Sequence, residues 1–288
     1  MKAIVTGVGA WGPGFSNLEE FKILLDSGAL TPADDLPPKP KRIPTRERRR
    51  APLMVKLAIE VADQACKMAS QDPATAQSVF TSGIGDAQIT DYMCRVLAGK
   101  DKLLSPTKFH NSVHNAAAGY WSISTGCEKP ATFVSGMQNS FSMALIEAMI
   151  QVTSDNVPVL LVSTDLAMPE PLRAMHPIER MLGVAILLSP DSTTPSCSSL
   201  TRPLSLSLQS AETAVQTWPT LEIAHLDELY ACSPAAKSLC LLKALCSDSL
   251  WYETLPVSAG LVADIAIDSP CAALPVSSHY RGSCNESM

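Results

Sequence analysis

The sequence predicts an α/β fold with a mostly parallel sheet covered on both faces. Two observations lead there. Over the first 190 residues, short β-branched or aromatic runs alternate with longer segments of helical period, the pattern of consecutive strand–helix units. With 46% hydrophobic and 17% charged residues, the 288-residue chain can also bury a sizeable core.

The elements follow in order. A first strand is expected near Lys2 to Val8, and a helix near Asn17 to Ser27. A second helix is expected near Pro52 to Met68, then a strand near Val79 to Ile84 and a helix near Ala87 to Leu97. Ala116 to Ser122 reads as a short helix, Thr132 to Ser135 as a strand and Asn139 to Val152 as a long apolar helix. Strands near Pro158 to Ser163 and Gly183 to Leu188 complete this portion. Beyond Ser189 the character changes: DSTTPSCSSLTRP is a Ser/Thr/Pro-rich connector and LSLSL alternates like an antiparallel strand. His225 to Cys246 reads as one helix broken near Pro234, and Leu261 to Ile267 as a final strand. The expected division is therefore 1–190, a shorter portion over 191–268, and a loose tail over 269–288 that carries Pro, Ser and charges without periodicity.

Two glycine-containing segments matter for function. Gly7, Gly9, Gly12 and Gly14 lie between a strand and a helix, but their spacing does not fit a dinucleotide fingerprint. A tight structural turn beside the core is expected instead, and no cofactor. The other segment is ATFVSGMQNSFSMALIEAMI: Ala131 to Ser135 reads as a strand, Gly136 permits a tight turn, and a helix follows. Such an elbow holds one side chain at a helix N-terminus, where backbone N–H groups favour a developing negative charge. Gln138 occupies that place. Its amide hydrogen-bonds but neither attacks a thioester nor titrates.

These segments carry a family resemblance. KAIVTGVGAWGPGFSNLEEFKILLDSG and the stretch from TSGIGDAQITDYM to AAAGYWSISTG resemble the opening and middle of the β-ketoacyl synthases of the thiolase superfamily. VPVLLVSTDLAMPEPL and GVAILLSP resemble the two strands after their nucleophile helix. Placing Ala144, Leu145, Glu147 and Ala148 on that helix sets Gln138 at the catalytic cysteine. The resemblance implies a thiolase-like fold with a complete N-terminal half over 1–190 and a truncated C-terminal half. It also implies two histidines, in HGT-type and GGHN-type turns; the five histidines here stand in FHN, VHN, MHP, AHL and SHY contexts, so neither motif is present. A Gln at the cysteine position characterises the chain length factor, the non-condensing partner of a type II ketosynthase, and the chain resembles the shortened subunit of aryl polyene pathways.

The resemblance implies no catalytic residue in this chain and assigns tunnel or chain-length roles to Val113, Phe109, His110, Met137 and Gln138. Ala131, Thr132, Phe133, Val134 and Ser135 are expected at the partner interface. The implied partners are an active ketosynthase, in a heterodimer or a higher-order assembly of it, and an acyl carrier protein; the implied output is a polyene, a polyketide or a fatty-acid-like chain. Two alternatives stand beside this: a subunit that decarboxylates malonyl thioester for priming, and a scaffold without a tunnel.

Charge and cysteine usage add limits. KPKRIPTRERRR places seven cations against Glu47 in a chain of net charge −6. It reads as a solvated loop or, through Arg46, Arg48, Arg49 and Arg50, as a landing site for an acidic carrier protein. Nucleic acid is disfavoured by the acidic whole and the absence of interleaved aromatics. The nine cysteines show no metal-ligand spacing and read mostly as small buried hydrophobes. With no membrane-length apolar run and no signal-like N-terminus, a cytoplasmic location is expected.

Overall fold

The computed structural model describes residues 1–28, 37–192, 200–212 and 220–269. Its strands are β1 (Lys2–Trp11), β2 (Gln77–Thr81), β3 (Ala131–Val134), β4 (Val159–Asp165), β5 (Leu182–Pro190), β6 (Arg202–Ser210), β7 (Trp251–Ser258) and β8 (Leu261–Ile267). They form one eight-stranded sheet in the order β3-β2-β4-β5-β1-β6-β8-β7. The helices are α1 (Leu18–Ser27), α2 (Thr45–Arg48), α3 (Leu53–Met68), α4 (Ala87–Ala98), α5 (Pro106–His110), α6 (Ala116–Thr125), α7 (Ser140–Asp155), α8 (Ala224–Cys232) and α9 (Leu239–Leu245).

The expectation of a mostly parallel sheet needs correction. Only β3, β2 and β4 run parallel to one another; every other pairing is antiparallel. The reason lies in the connections. Helical crossovers link β2 to β3 and β3 to β4, whereas β4 reaches β5 through a loop with a single 3-10 turn and so reverses. β7 and β8 form a hairpin around Ala259 and Gly260. β7 itself was not anticipated, because Glu253 and Pro256 interrupt an otherwise strand-like run.

Both faces of the central strands are buried, and the alternation of their side chains sorts two layers. Leu160 and Val162 of β4 and Ala185 and Leu187 of β5 pack with α3 and α6. Leu161 of β4 and Val184, Ile186 and Leu188 of β5 pack with α7, α8 and α9. The glycine expectation changes here too. Gly7 and Gly9 are not in a turn but inside β1, where a Cβ would lie 2.1 Å from the Ala65 carbonyl oxygen and 1.9 Å from that of Val61. Their role is to let α3 approach the strand backbone; only Gly12 and Gly14 belong to the turn that follows.

The C-terminal strands wrap over the second layer. Asn139 Nδ2 donates to the Val257 carbonyl at 3.1 Å and Ser142 Oγ to that of Pro256 at 2.5 Å, so β7 covers the start of α7. The break near Pro234 is present, with α8 ending at Cys232 and a 3-10 turn leading into α9. Asp165, at the end of β4, fastens this region. Its carboxylate accepts from Ser82 Oγ (3.0 Å), Gly83 N (3.0 Å), Ser233 Oγ (2.8 Å) and Ala235 N (2.7 Å). Burial pushes this carboxyl up, against the four donors that hold it down. Cys66, Cys127 and Cys240 are free and buried, while Cys94 is exposed. The proposed tail lies outside the described residues from 270 onward. Among the described residues, no helix is long and apolar enough to cross a membrane.

Candidate functional site

The strand-to-helix elbow forms where the sequence places it. β3 ends at Val134, Gly136 keeps φ at −139°, and a 3-10 turn over Met137–Asn139 leads into α7. The left-handed residue is Met137, with φ of 52°, rather than Gly136. Gly136 serves another purpose: a Cβ there would sit 2.2 Å from Met143 Sδ. Ser140 locks the bend, its Oγ accepting from Gly136 N at 2.9 Å and donating to the Met137 carbonyl at 2.7 Å. Ser135 Oγ donates to the Ser82 carbonyl at 3.1 Å.

A sharp elbow of this kind strains the residue that it displays. Met137 is that residue and Gln138, also exposed, follows it. A thioether and an amide are both unable to attack a thioester, so covalent acyl transfer at this elbow has no nucleophile.

Gln138 and Asn139 line a cavity of about 570 Å³ together with Thr220, Asp227, Tyr230, Ala231, Lys237 and Pro256. Beside it lies a buried polar chain that the sequence reading missed. Lys237 Nζ donates to the Tyr230 carbonyl at 2.6 Å and stands 3.9 Å from the centre of its ring; Tyr230 OH donates to Glu253 Oε1 at 3.0 Å. Burial pushes Glu253 up to about 7, Lys237 down and Tyr230 up. The only sequence signal was a Glu interrupting an apolar strand.

A second pocket lies on the α3 side of β2. Val113, His114, Phe133, Phe80, Val55 and Asn111 are among its walls. His114 meets the Phe133 ring edge-on, with centroids 5.3 Å apart. The structure thus places Val113 and Gln138 on separate cavities, while Phe109, His110 and Met137 line neither. Phe109, Val113 and Met137 are large apolar side chains that are 61%, 54% and 55% exposed. Ala131 to Val134 form an edge strand whose outer side pairs with nothing among the described residues.

The basic segment is split. Arg42 is held by Asp63 and lies over Trp121, and Arg48 folds back onto the Pro40 carbonyl at 3.0 Å. Arg46, Arg49 and Arg50 are exposed. Among the described residues no cluster of His, Cys, Asp and Glu is arranged to hold a metal ion.

Comparison with known proteins agrees with this geometry. The model of the β-ketoacyl synthase N-terminal domain family matches residues 26–241. No curated protein matches the chain. Among solved structures, the ketosynthase ApeO in complex with its chain length factor ApeC, from Xenorhabdus doucetiae, aligns with a TM-score of 0.67 at 22% identity, over 92% of this chain and 99% of that one. The ishigamide ketosynthase/chain length factor aligns with a TM-score of 0.70 at 14% identity, over 94% and 100%. AntDE:AntF, a type II polyketide synthase acyl carrier protein in complex with its ketosynthase, gives 0.68 at 14% identity, over 93% and 99%. At these identities the structures establish the shared thiolase-like ketosynthase fold.

Proposed function

The chain belongs to the β-ketoacyl synthase N-terminal domain family, and from that premise we propose that it is a non-condensing, chain-length-factor subunit. Its partner is an active ketosynthase acting on carrier-bound acyl chains, and its contribution is one wall of the acyl tunnel. The observation that carries this reading is the pairing of an elbow without a nucleophile and, immediately before it, the uncovered edge of β3. α6 and α7 pack against that strand and themselves carry exposed Ile123, Met143 and Ile150. An edge with apolar flanks is a surface that another chain covers. Arg46, Arg49 and Arg50 offer positive charge for an acidic carrier protein.

The test is co-expression with a ketosynthase. A stable one-to-one complex is expected, with poor solubility of the chain alone and no acylation at the elbow. A well-behaved monomer that ignores the ketosynthase, or condensation by the isolated chain, overturns the proposal. A second reading, decarboxylation of malonyl thioester beside Gln138, is favoured by one observation: the cavity on Gln138 also presents Lys237, whose ammonium suits a carboxylate. Carbon dioxide release by a complex made with a cysteine-less ketosynthase, lost in Lys237→Met, would establish it.

A further inference from the structure

The pocket beneath Val113 runs from an exposed mouth to a buried polar floor. Val113 and His114 are exposed, whereas Phe80, Thr81 and Val55 on the inner walls are 1% exposed and Asn111 is 4% exposed. Asn111 is fixed in place: its Nδ2 donates to the Thr107 carbonyl at 2.9 Å, and so does its backbone N–H at 3.2 Å. That orientation leaves Oδ1 buried with no hydrogen-bond partner among the described residues. A buried acceptor without a donor is costly, and most such groups in native proteins are satisfied by something. Asp86, whose Oδ1 accepts from Ile89 N at 3.1 Å, adds a second acceptor side chain to the same lining.

Size and chemistry narrow the occupant. The pocket holds about 40 Å³, enough for one or two waters or for the last atoms of a chain, and far too little for a whole substrate. Its walls are mixed: Phe80, Phe133, Val55 and Ile84 are apolar, and Thr81, Thr90, Ser112 and Thr164 bring hydroxyls. A hydroxyl on an apolar stem supplies the donor that Asn111 Oδ1 lacks and suits the apolar part of the lining.

We propose that this pocket receives the far end of the acyl chain and that Asn111 Oδ1 accepts a hydrogen bond from a hydroxyl at that end. The chain enters past Val113, its terminal carbons lie against Phe80 and Phe133, and the hydroxyl satisfies the orphaned oxygen. The pocket therefore reads the identity of the chain end as well as its length. This rests on the proposed pairing with a ketosynthase, since the acyl chain must arrive from that partner.

The experiment is a competition in the reconstituted complex. An unsubstituted acyl primer and its ω-hydroxy counterpart of equal length are offered together on carrier protein, and extended products are counted by mass spectrometry. The wild-type complex is expected to favour the hydroxyl-ended primer by about tenfold. Asn111→Leu, which keeps the volume and removes the acceptor, is expected to erase that preference. Ala117→Val narrows the pocket from α6 without touching the acceptor and should erase it too, which keeps the test open if the Asn111 variant folds poorly. Equal use of the primers by wild type, or a preference that survives both variants, overturns the proposal and leaves Asn111 facing only water. Those outcomes leave the chain-length role standing if the complex forms and controls length; failure to form a complex strikes that role instead.

Discussion

The two edges of the sheet are built differently. β7 is blunted from within the chain: it carries Pro256, a bulge between Pro256 and Ser258, and the inward-facing Glu253, and side chains of α7 and of the elbow hold two of its carbonyls. β3 has no proline, no charge and no bulge, and the helices that pack on it and the elbow that follows it carry exposed Ile123, Met143 and Met137. The chain guards one edge itself and leaves the other open. The edge left open is the one that leads into the elbow, so the surface proposed for assembly adjoins the elbow that has no nucleophile.

The largest expected effect comes from loosening the fastening that brings the C-terminal region, with its protected edge, onto the rest. Asp165→Ala strips Gly83 N and Ala235 N of their acceptor and frees two buried hydroxyls. A loss of about 3 to 5 kcal/mol in unfolding free energy is expected by chemical denaturation of the complex. A change within experimental error would mean that the two regions are held by apolar packing alone.

Glu253 makes the guarded edge pH-dependent. Its folded pKa, pushed up to about 7 by burial, exceeds the ordinary carboxyl value, so the folded chain holds a proton that the unfolded chain has released. The stability from the neutral form is complete below the unfolded pKa and is lost as pH rises through about 7. A decline of about 2 to 3 kcal/mol between mildly acidic and mildly alkaline pH follows. Glu253→Gln should flatten the profile, and an unchanged slope in that variant would assign the decline elsewhere.

The contrast between the edges is tested directly by paired charges. Ile123→Lys places a cation on α6, the helix packed on β3, at a residue that is 80% exposed, so the chain itself should lose within about 0.5 kcal/mol. Affinity for the ketosynthase should fall by about 2 kcal/mol, roughly thirtyfold, in a calorimetric titration. Tyr252→Lys on β7, at a residue that is 69% exposed, should leave that affinity unchanged. Equal losses from both variants would erase the distinction between the edges.

What the sequence made legible follows the same division. The strands around β3 and the elbow were readable because β-branched runs, a glycine and a long apolar helix follow one another locally. The sheet's antiparallel character was not, since strand direction depends on what each connection does in space. β7 was hidden by Glu253 and Pro256, the residues that blunt it. The chain from Lys237 through Tyr230 to Glu253 spans separations of 7 and 23 residues and obeys no local pattern. Gln138 could be picked out beside the elbow, but that the strained residue is its neighbour Met137 is a fact of backbone geometry. The unpartnered oxygen of Asn111 belongs to the same class: nothing in FHNSVHN distinguishes a floor from a loop.

The smallest expected effect concerns the mouth of the pocket next to the open edge. Val113 is more than half exposed, so Val113→Phe adds volume outside the core and should barely alter the stability of the chain. In the complex the added ring fills space on the path of the growing acyl chain. Crowding of about 1 kcal/mol is enough to slow the final extension severalfold while earlier, shorter intermediates pass untouched. Mass spectrometry of carrier-bound products from the reconstituted pair should then show a distribution shifted to shorter chains at near-normal early turnover, and Val113→Ala should give equal or longer ones. If both variants assemble normally and neither moves the distribution, length is set elsewhere along the wall, and the open edge serves only to hold the two subunits together.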